Sequence, residues 1–298
     1  MQNFAPIALF VYNRPEHTRR TIKFLQQNLL ADESRLFIFS DAAKKGDEEK
    51  VQEVRDLIKK IDGFKSVEVV EREYNFGLAN SIINGVTQLT DEYGKAIVFE
   101  DDLLSSPYTL QYFNNALQRY EAEERVMHVC AYMYPLKKAA LLPESFFYRV
   151  CGSWGWATWQ RAWKNFEPDI DVLMKQFNAQ KIQDFSIDGS MNFWKQMNEF
   201  KNKKNNSWAI RWYASVFLNN GLALNPALSL IDNIGHDGTG VHSGKNDMYS
   251  VTISNKPVTY YPDIIEENEV AYLEIKHFLK HRKGNLLQRI IRFVQEKW

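Results

Sequence analysis

Ala96-Ile97-Val98-Phe99-Glu100-Asp101-Asp102 decides how this chain is read. The apolar run reads as a buried strand, and three acids in succession end it. Carboxylates crowded at the end of a buried strand repel one another and lose hydration unless a cation or a partner compensates. Hard divalent cations prefer such oxygens and bridge them to phosphates. A second reading stays open at this point. Ser105-Ser106-Pro107 follows closely, and acids also favour the N-terminus of a helix.

The same grammar recurs upstream. Ile7-Ala8-Leu9-Phe10-Val11 is a strand ended by Asn13-Arg14-Pro15, and Pro15 opens a helix through Ile22, Phe24 and Leu25. Residues 36–39 form a second strand that stops at Ser40-Asp41. Residues 47–61 carry Val51, Val54, Leu57, Ile58 and Ile61 at helical spacing. Residues 67–70 form a third strand, followed by the turn Tyr74-Asn75-Phe76-Gly77 and a helix over 78–89. This alternation predicts βαβ units, hence an α/β fold with a Rossmann-like, mainly parallel sheet flanked by helices. Ligands of such sheets bind beyond the carboxyl ends of the strands. Asn13, Arg14, Asp41, Asn75 and the acidic triplet all stand there.

Past residue 105 the rhythm changes. A helix is expected over 113–120 and a strand over 126–132, then the Trp-rich Cys151-Gly152-Ser153-Trp154-Gly155-Trp156-Ala157-Thr158-Trp159. A polar helical stretch to about 204, an apolar helix over 208–218, and a Gly/His-rich loop over 234–244 follow. The tail from 264 reads as a helix of increasingly basic character. Three segments are therefore expected: a ligand-binding half at 1–105, a second half of the same domain at 106–263, and a tail at 264–298.

Composition narrows the function classes. Equal numbers of basic and acidic residues, 37 each, argue against a general nucleic-acid binder. Two cysteines, Cys130 and Cys151, are too few for a disulfide framework and read as buried free thiols. The N-terminus shows no secretory pattern, and no apolar run reaches the roughly 20 residues that span a bilayer. The expected location is the cytoplasm.

Four stretches together resemble GT-A-fold glycosyltransferases, the family-2-like enzymes of bacterial surface polysaccharides. They are Phe10-Val11-Tyr12-Asn13-Arg14-Pro15, Phe39-Ser40-Asp41, Tyr74-Asn75-Phe76-Gly77-Leu78-Ala79-Asn80 and Val98-Phe99-Glu100-Asp101-Asp102-Leu103. More distantly they are similar to the N-acetylglucosaminyltransferases that begin complex N-glycans. Gly155-Trp156-Ala157-Thr158-Trp159 and Asn233-Ile234-Gly235-His236-Asp237-Gly238 extend the resemblance to about residue 245.

The resemblance implies a nucleotide-sugar donor, UDP-linked by preference, and a manganese or magnesium ion. It implies that Tyr12, Asn13 and Arg14 line the nucleoside and that Asp41 accepts a hydrogen bond from the base. It further implies that Arg72 pairs with a phosphate and that Asn75, Gly77 and Asn80 lie against the nucleotide. Asp102 would bind the metal, with Glu100 and Asp101 on ribose or sugar hydroxyls. His236 and His242 are implied ligands of the metal or diphosphate; two loop histidines on a solvated turn are the alternative.

The acceptor half is implied to hold a carboxylate that deprotonates the acceptor hydroxyl of an inverting transfer. The matching segment Ser207-Trp208-Ala209-Ile210-Arg211-Trp212 has Ala209 where that acid is expected. Asp188, in Ile187-Asp188-Gly189-Ser190, is the substitute candidate, although an Asp before Gly is also a common turn pair. Trp154 and Trp156 beside Gly155 are candidates for an acceptor platform, or for core packing. Arg211 is a candidate for offsetting diphosphate charge, or for a salt bridge at the core. In the tail, Leu286, Leu287, Ile290, Ile291 and Val294 at helical spacing among Arg and Lys offer a surface for an anionic membrane, the parent domain or a second copy. That would suit a glycan or lipid-linked acceptor. The competing functions are a non-catalytic nucleotide-sugar-binding scaffold, favoured by Ala209, and a pyrophosphorylase. The latter class needs a Gly-rich loop after the first strand, and Asn13-Arg14-Pro15 is none.

Overall fold

The computed structural model describes residues 4–237 and 248–282. β1 (Ile7–Val11), α1 (Pro15–Gln26), β2 (Arg35–Ser40), α2 (Glu48–Ile58), β3 (Ser66–Glu71), α3 (Leu78–Tyr93) and β4 (Lys95–Glu100) follow in the expected alternation. Next come β5 (Leu103–Ser105), α4 (Thr109–Arg119), β6 (Val126–Cys130), β7 (Ser145–Tyr148) and β8 (Trp156–Trp159). Four short helices follow: α5 (Gln160–Trp163), α6 (Ile170–Met174), α7 (Ala179–Phe185) and α8 (Phe193–Lys201). The last described elements are α9 (Trp208–Leu218), β9 (Leu222–Pro226), β10 (Ile231–Asn233) and α10 (Glu269–His281).

Eight strands form one mixed, mainly parallel sheet in the order β3-β2-β1-β4-β8-β6-β9-β7. From β3 to β4 every pair is parallel. β8 runs antiparallel between β4 and β6, which joins the second half onto the first. The period of two along the strands sorts side chains into two cores. Ile7, Leu9 and Val11 pack with Ile22, Val54 and Phe113 on one face; Ala8 and Phe10 pack with Ile82, Val86 and Trp212 on the other. Helices cover both faces, so β1 and β4 are apolar without a polar alternation, as buried parallel strands require. Each such Leu or Phe contributes roughly 1.5–3 kcal/mol by leaving water.

β5 and β10 make a separate antiparallel ribbon, with Leu103 opposite Asn233 and Ser105 opposite Ile231. This ribbon brings the segment after residue 230 back beside the acidic triplet. At the far edge, Glu267 bridges Phe147 of β7, and Asn268 N–H donates to Phe147 O at 3.0 Å. Ala271, Ile275 and Leu279, one face of α10, are buried against the domain. The tail as far as residue 282 therefore docks on its own chain. Leu286 to Val294 lie outside the described residues. Among the described residues no helix is long and apolar enough to cross a membrane.

Candidate functional site

Glu100 is the last residue of β4, and β5 begins at Leu103, so the triplet joins two strands. The next helix, α4, starts only at Thr109. That removes the reading of the triplet as a helix cap. Arg14, on the loop after β1, holds the acids together. Its Nη2 donates to Asp101 Oδ1 and to Asp102 Oδ2, the latter at 2.9 Å. Burial pushes the Asp101 and Glu100 carboxyls up from their ordinary range, while Arg14 pulls both down. Burial disfavours the Arg14 charge, yet Asp101 and Asp102 together hold its pKa above the ordinary arginine value. Thr21 Oγ1 fixes the backbone here by donating to Asp101 O at 2.8 Å.

Gly235 closes over this pair. A Cβ at that position would overlap Asp102 Oδ2 and stand 3.1 Å from Arg14 Nη1, so only glycine allows the approach. Ile234 N–H donates to Asp102 O at 2.9 Å and keeps the loop in place.

At the end of β2, Asp41 is 6% exposed and braces the loop after β3. Its Oδ1 accepts from Phe76 N–H at 2.8 Å and Ala42 N–H at 3.0 Å, and its Oδ2 from Gly77 N–H at 2.8 Å. Gly77 has φ 71, a left-handed value that lets α3 start there. Asn75 donates to Ala42 O at 2.6 Å, and Asn80 to Phe76 O at 3.0 Å. Arg72 lies 4.5 Å over the Phe76 ring and donates to Asn84 Oδ1 at 2.9 Å. The loops after β1, β2 and β3 thus form one hydrogen-bonded rim.

One member of that rim escaped the sequence reading. Asp47 accepts from the Tyr12 hydroxyl at 2.8 Å and from Asn13 Nδ2 at 3.0 Å, and these bonds lower its pKa. Burial, with Asp47 beside it, pushes the Tyr12 hydroxyl up to about 12. The only sequence signal was an acid two residues past the basic turn Lys44-Lys45, which reads equally well as a helix start.

The acceptor-side candidates separate. Trp154 is half-buried, its ring 4.5 Å from Tyr132 and 5.1 Å from His236. Gly155 is packed against Ile231 of β10, where a Cβ would clash. Three expectations need correction. Trp156 is 0% exposed, stacked on Trp208 and His128 at 5.0 and 5.2 Å, so it has no face to offer an acceptor. Arg211 is 6% exposed, donates to Ser207 O and Pro168 O, and lies over Phe200, so its charge is directed into the helical layer. Asp188 accepts from Tyr272 at 2.7 Å and Lys276 at 2.5 Å, bonds that lower its pKa and tie down α10. A carboxylate so satisfied is a weak base and a good latch.

A different acid is better placed. Asp232 lies on β10 opposite Leu104, is half-buried, and has its pKa raised by burial. Val251 N–H donates to its Oδ1 at 3.1 Å, and His236, Arg20 and Tyr132 are within electrostatic reach. Sequence reasoning missed it because β10 has only three residues.

For a divalent cation the donor set fits in part. Three carboxylates stand at the end of β4, where Arg14 supplies the ion pairing, and Nε2 of His236 is buried without a hydrogen-bond partner among the described residues. Among the described residues no three His, Cys, Asp or Glu side chains converge on one point. An ion there would take Asp102 and complete its shell from phosphate oxygens and water, as magnesium commonly does. His242 lies outside the described residues.

The chain is similar to the mannosyltransferase PcManGT from Pyrobaculum calidifontis, solved with GDP-Man and Mn2+, at 12% identity and TM-score 0.40, covering 72% of this chain and 70% of that one. It is similar to TarS from S. aureus at 14% identity and TM-score 0.32, covering 43% of this chain and 22% of that one. It is also similar to a UDP-glucose pyrophosphorylase solved with UDP-glucose, at 12% identity and TM-score 0.35, covering 75% and 90%. Likenesses this low carry no argument about activity. No curated protein matches the chain in sequence. Residues 7–135, which contain β1 to β6 and every side chain of the rim, match the family model Glycosyl transferase family 2. That stretch, a little under half of the chain, is thus similar to a family 2 glycosyltransferase domain.

Proposed function

We propose that this chain transfers a sugar from a UDP-linked donor to a glycan or lipid-linked acceptor in the synthesis of a bacterial surface polysaccharide. The observation that carries the reading is the convergence at four parallel strand ends of the Asp41-braced loop, the Asp47-braced Tyr12-Asn13 pair and the Arg14-held acids. Asp41 can accept from a base N–H such as uracil N3–H. Three backbone N–H groups use three of a carboxylate's roughly four acceptor sites, leaving one for a base N–H.

Inverting transfer needs the acceptor oxygen to attack the anomeric carbon from the face opposite the diphosphate. The carbon–phosphate-oxygen bond breaks, the nucleoside diphosphate leaves, and the acceptor proton passes to a base. Asp232 fits the base role: it lies on the ribbon beside the triplet, within electrostatic reach of His236 and Tyr132. Trp154 and Tyr132 would form the wall on which an acceptor sugar lies. A divalent ion at Asp102 would supply positive charge to the departing diphosphate. Two buried free thiols, Cys130 and Cys151, suit a reducing compartment and hence the cytoplasm.

A thermal-shift panel of UDP-, GDP- and CMP-sugars, each with Mn2+ or EDTA, tests this reading. UDP-sugars with Mn2+ are expected to give the largest rise in melting temperature. If no nucleotide-sugar raises it under either condition, the proposal fails.

A further inference from the structure

Arg14 is the feature of the rim that a donor site alone does not explain. Asp102 is the acid that would face a divalent ion, yet its Oδ2 is already engaged at 2.9 Å by a guanidinium. The same Nη2 also holds Asp101, so one nitrogen links both carboxylates. The three side chains are 18%, 7% and 13% exposed, which weakens solvent screening of the pair. Arginine stays charged at every physiological pH, so this counter-charge cannot be removed by titration.

Two further observations give the arrangement a direction. Nη1 of the same guanidinium is buried and has no hydrogen-bond partner among the described residues. A buried donor without an acceptor is unfavourable, and a phosphate oxygen would satisfy it. The Gly235 backbone lies against both Nη1 and Asp102 Oδ2, so the loop after β10 confines the pair from above.

We infer that Arg14 is a positioning residue that closes Asp102 to a lone divalent cation and opens it when a nucleoside diphosphate offers its oxygens to the guanidinium. Metal and nucleotide are then taken up together, and the acidic triplet does not scavenge free cations between turnovers. This rests on the donor-site reading above. It goes beyond that reading by assigning Arg14 opposite effects on the two ligands. A residue that merely props the loop would weaken both.

The test uses the full chain and two substitutions. Free Mn2+ is titrated by electron paramagnetic resonance into wild type, Arg14→Gln and Arg14→Lys, without nucleotide; UDP binding in saturating Mn2+ is then measured by calorimetry. Arg14→Gln is expected to bind Mn2+ alone at least tenfold more tightly than wild type, and UDP at least tenfold more weakly. Arg14→Lys keeps the charge and is expected to stay as closed to Mn2+ alone as wild type. Equal Mn2+ affinity in wild type and Arg14→Gln overturns the inference, as does tighter Mn2+ binding with unchanged UDP affinity. Failure of wild type itself to bind UDP with Mn2+ overturns the donor-site reading instead, and the Mn2+-alone arm still decides whether Arg14 closes Asp102. A melting curve for each variant separates these outcomes from loss of fold.

Discussion

The two halves of the sheet handle buried polarity in opposite ways. At the ends of β1 to β4, acids are left close to one another and are restrained by neighbours that still have capacity: among the described residues Arg14 Nη1 has no partner, and Asp41 binds only backbone N–H groups. Beyond β8 three prominent polar side chains are closed off. His128 is 0% exposed, accepts from Trp212 Nε1 and bonds Gly152 O, both at 3.0 Å. Arg211 and Asp188 are likewise bound within the fold. At the strand ends, polar groups with remaining hydrogen-bonding capacity can serve a ligand; side chains such as His128, bonded on both ring nitrogens, serve the scaffold.

The exception in the second half is the ribbon of β5 and β10, and it provides the largest expected effect. Asp232→Asn should lower kcat by about 10^2-fold or more, with donor affinity unchanged, because a base acts only in the transfer step. Asp188→Asn should leave kcat unchanged and lower the melting temperature slightly, since it breaks only a half-exposed tie to α10 worth about 1 kcal/mol or less. Steady-state transfer assays on both variants check this. Turnover lost in Asp188→Asn and kept in Asp232→Asn would reverse the assignment of scaffold and site.

His128 sharpens the contrast through pH. Burial holds its pKa down to about 3, against 6.5 for the free group, so the folded protein keeps the ring neutral while the unfolded chain protonates. Its contribution is complete above about pH 6.5 and is lost progressively as the pH falls towards about 3, at roughly 1.4 kcal/mol per unit. His128→Asn should be less stable than wild type at pH 7, and the gap should narrow steadily by pH 4. Chemical denaturation across that range measures it; parallel curves for the two proteins would show that the ring is not buried neutral.

How much of this was legible in the sequence follows the same division. The buried parallel strands announce themselves as apolar runs with polar ends, so Ile7–Val11 and the strands at 36–39 and 96–99 lie within β1, β2 and β4, while the strand at 67–70 lies within the half-exposed edge strand β3. α9 matches its expected span, residues 208–218, because eleven mostly apolar residues follow a capping Ser207. β8, by contrast, hides inside a Gly- and Trp-rich stretch, and β5 and β10 are three residues each, too short for any period to show. Composition cannot tell which face of a tryptophan is covered, so Trp156 and Trp154 read alike although only one is enclosed. Asp188 lay in a turn, and its partners Tyr272 and Lys276 are more than eighty residues away in the chain. Asp47 was masked by its place before α2, where an acid needs no special explanation.

The account stands on the acidic end of β4 as the place where the donor is held. Calorimetric titration of UDP, in the presence of Mn2+, into wild type and Asp102→Ala tests that claim most directly. The expected result is saturable binding to wild type and an affinity at least tenfold weaker in the variant, about 1.4 kcal/mol or more. Equal affinity in the two proteins would mean that the triplet and its arginine serve the fold alone.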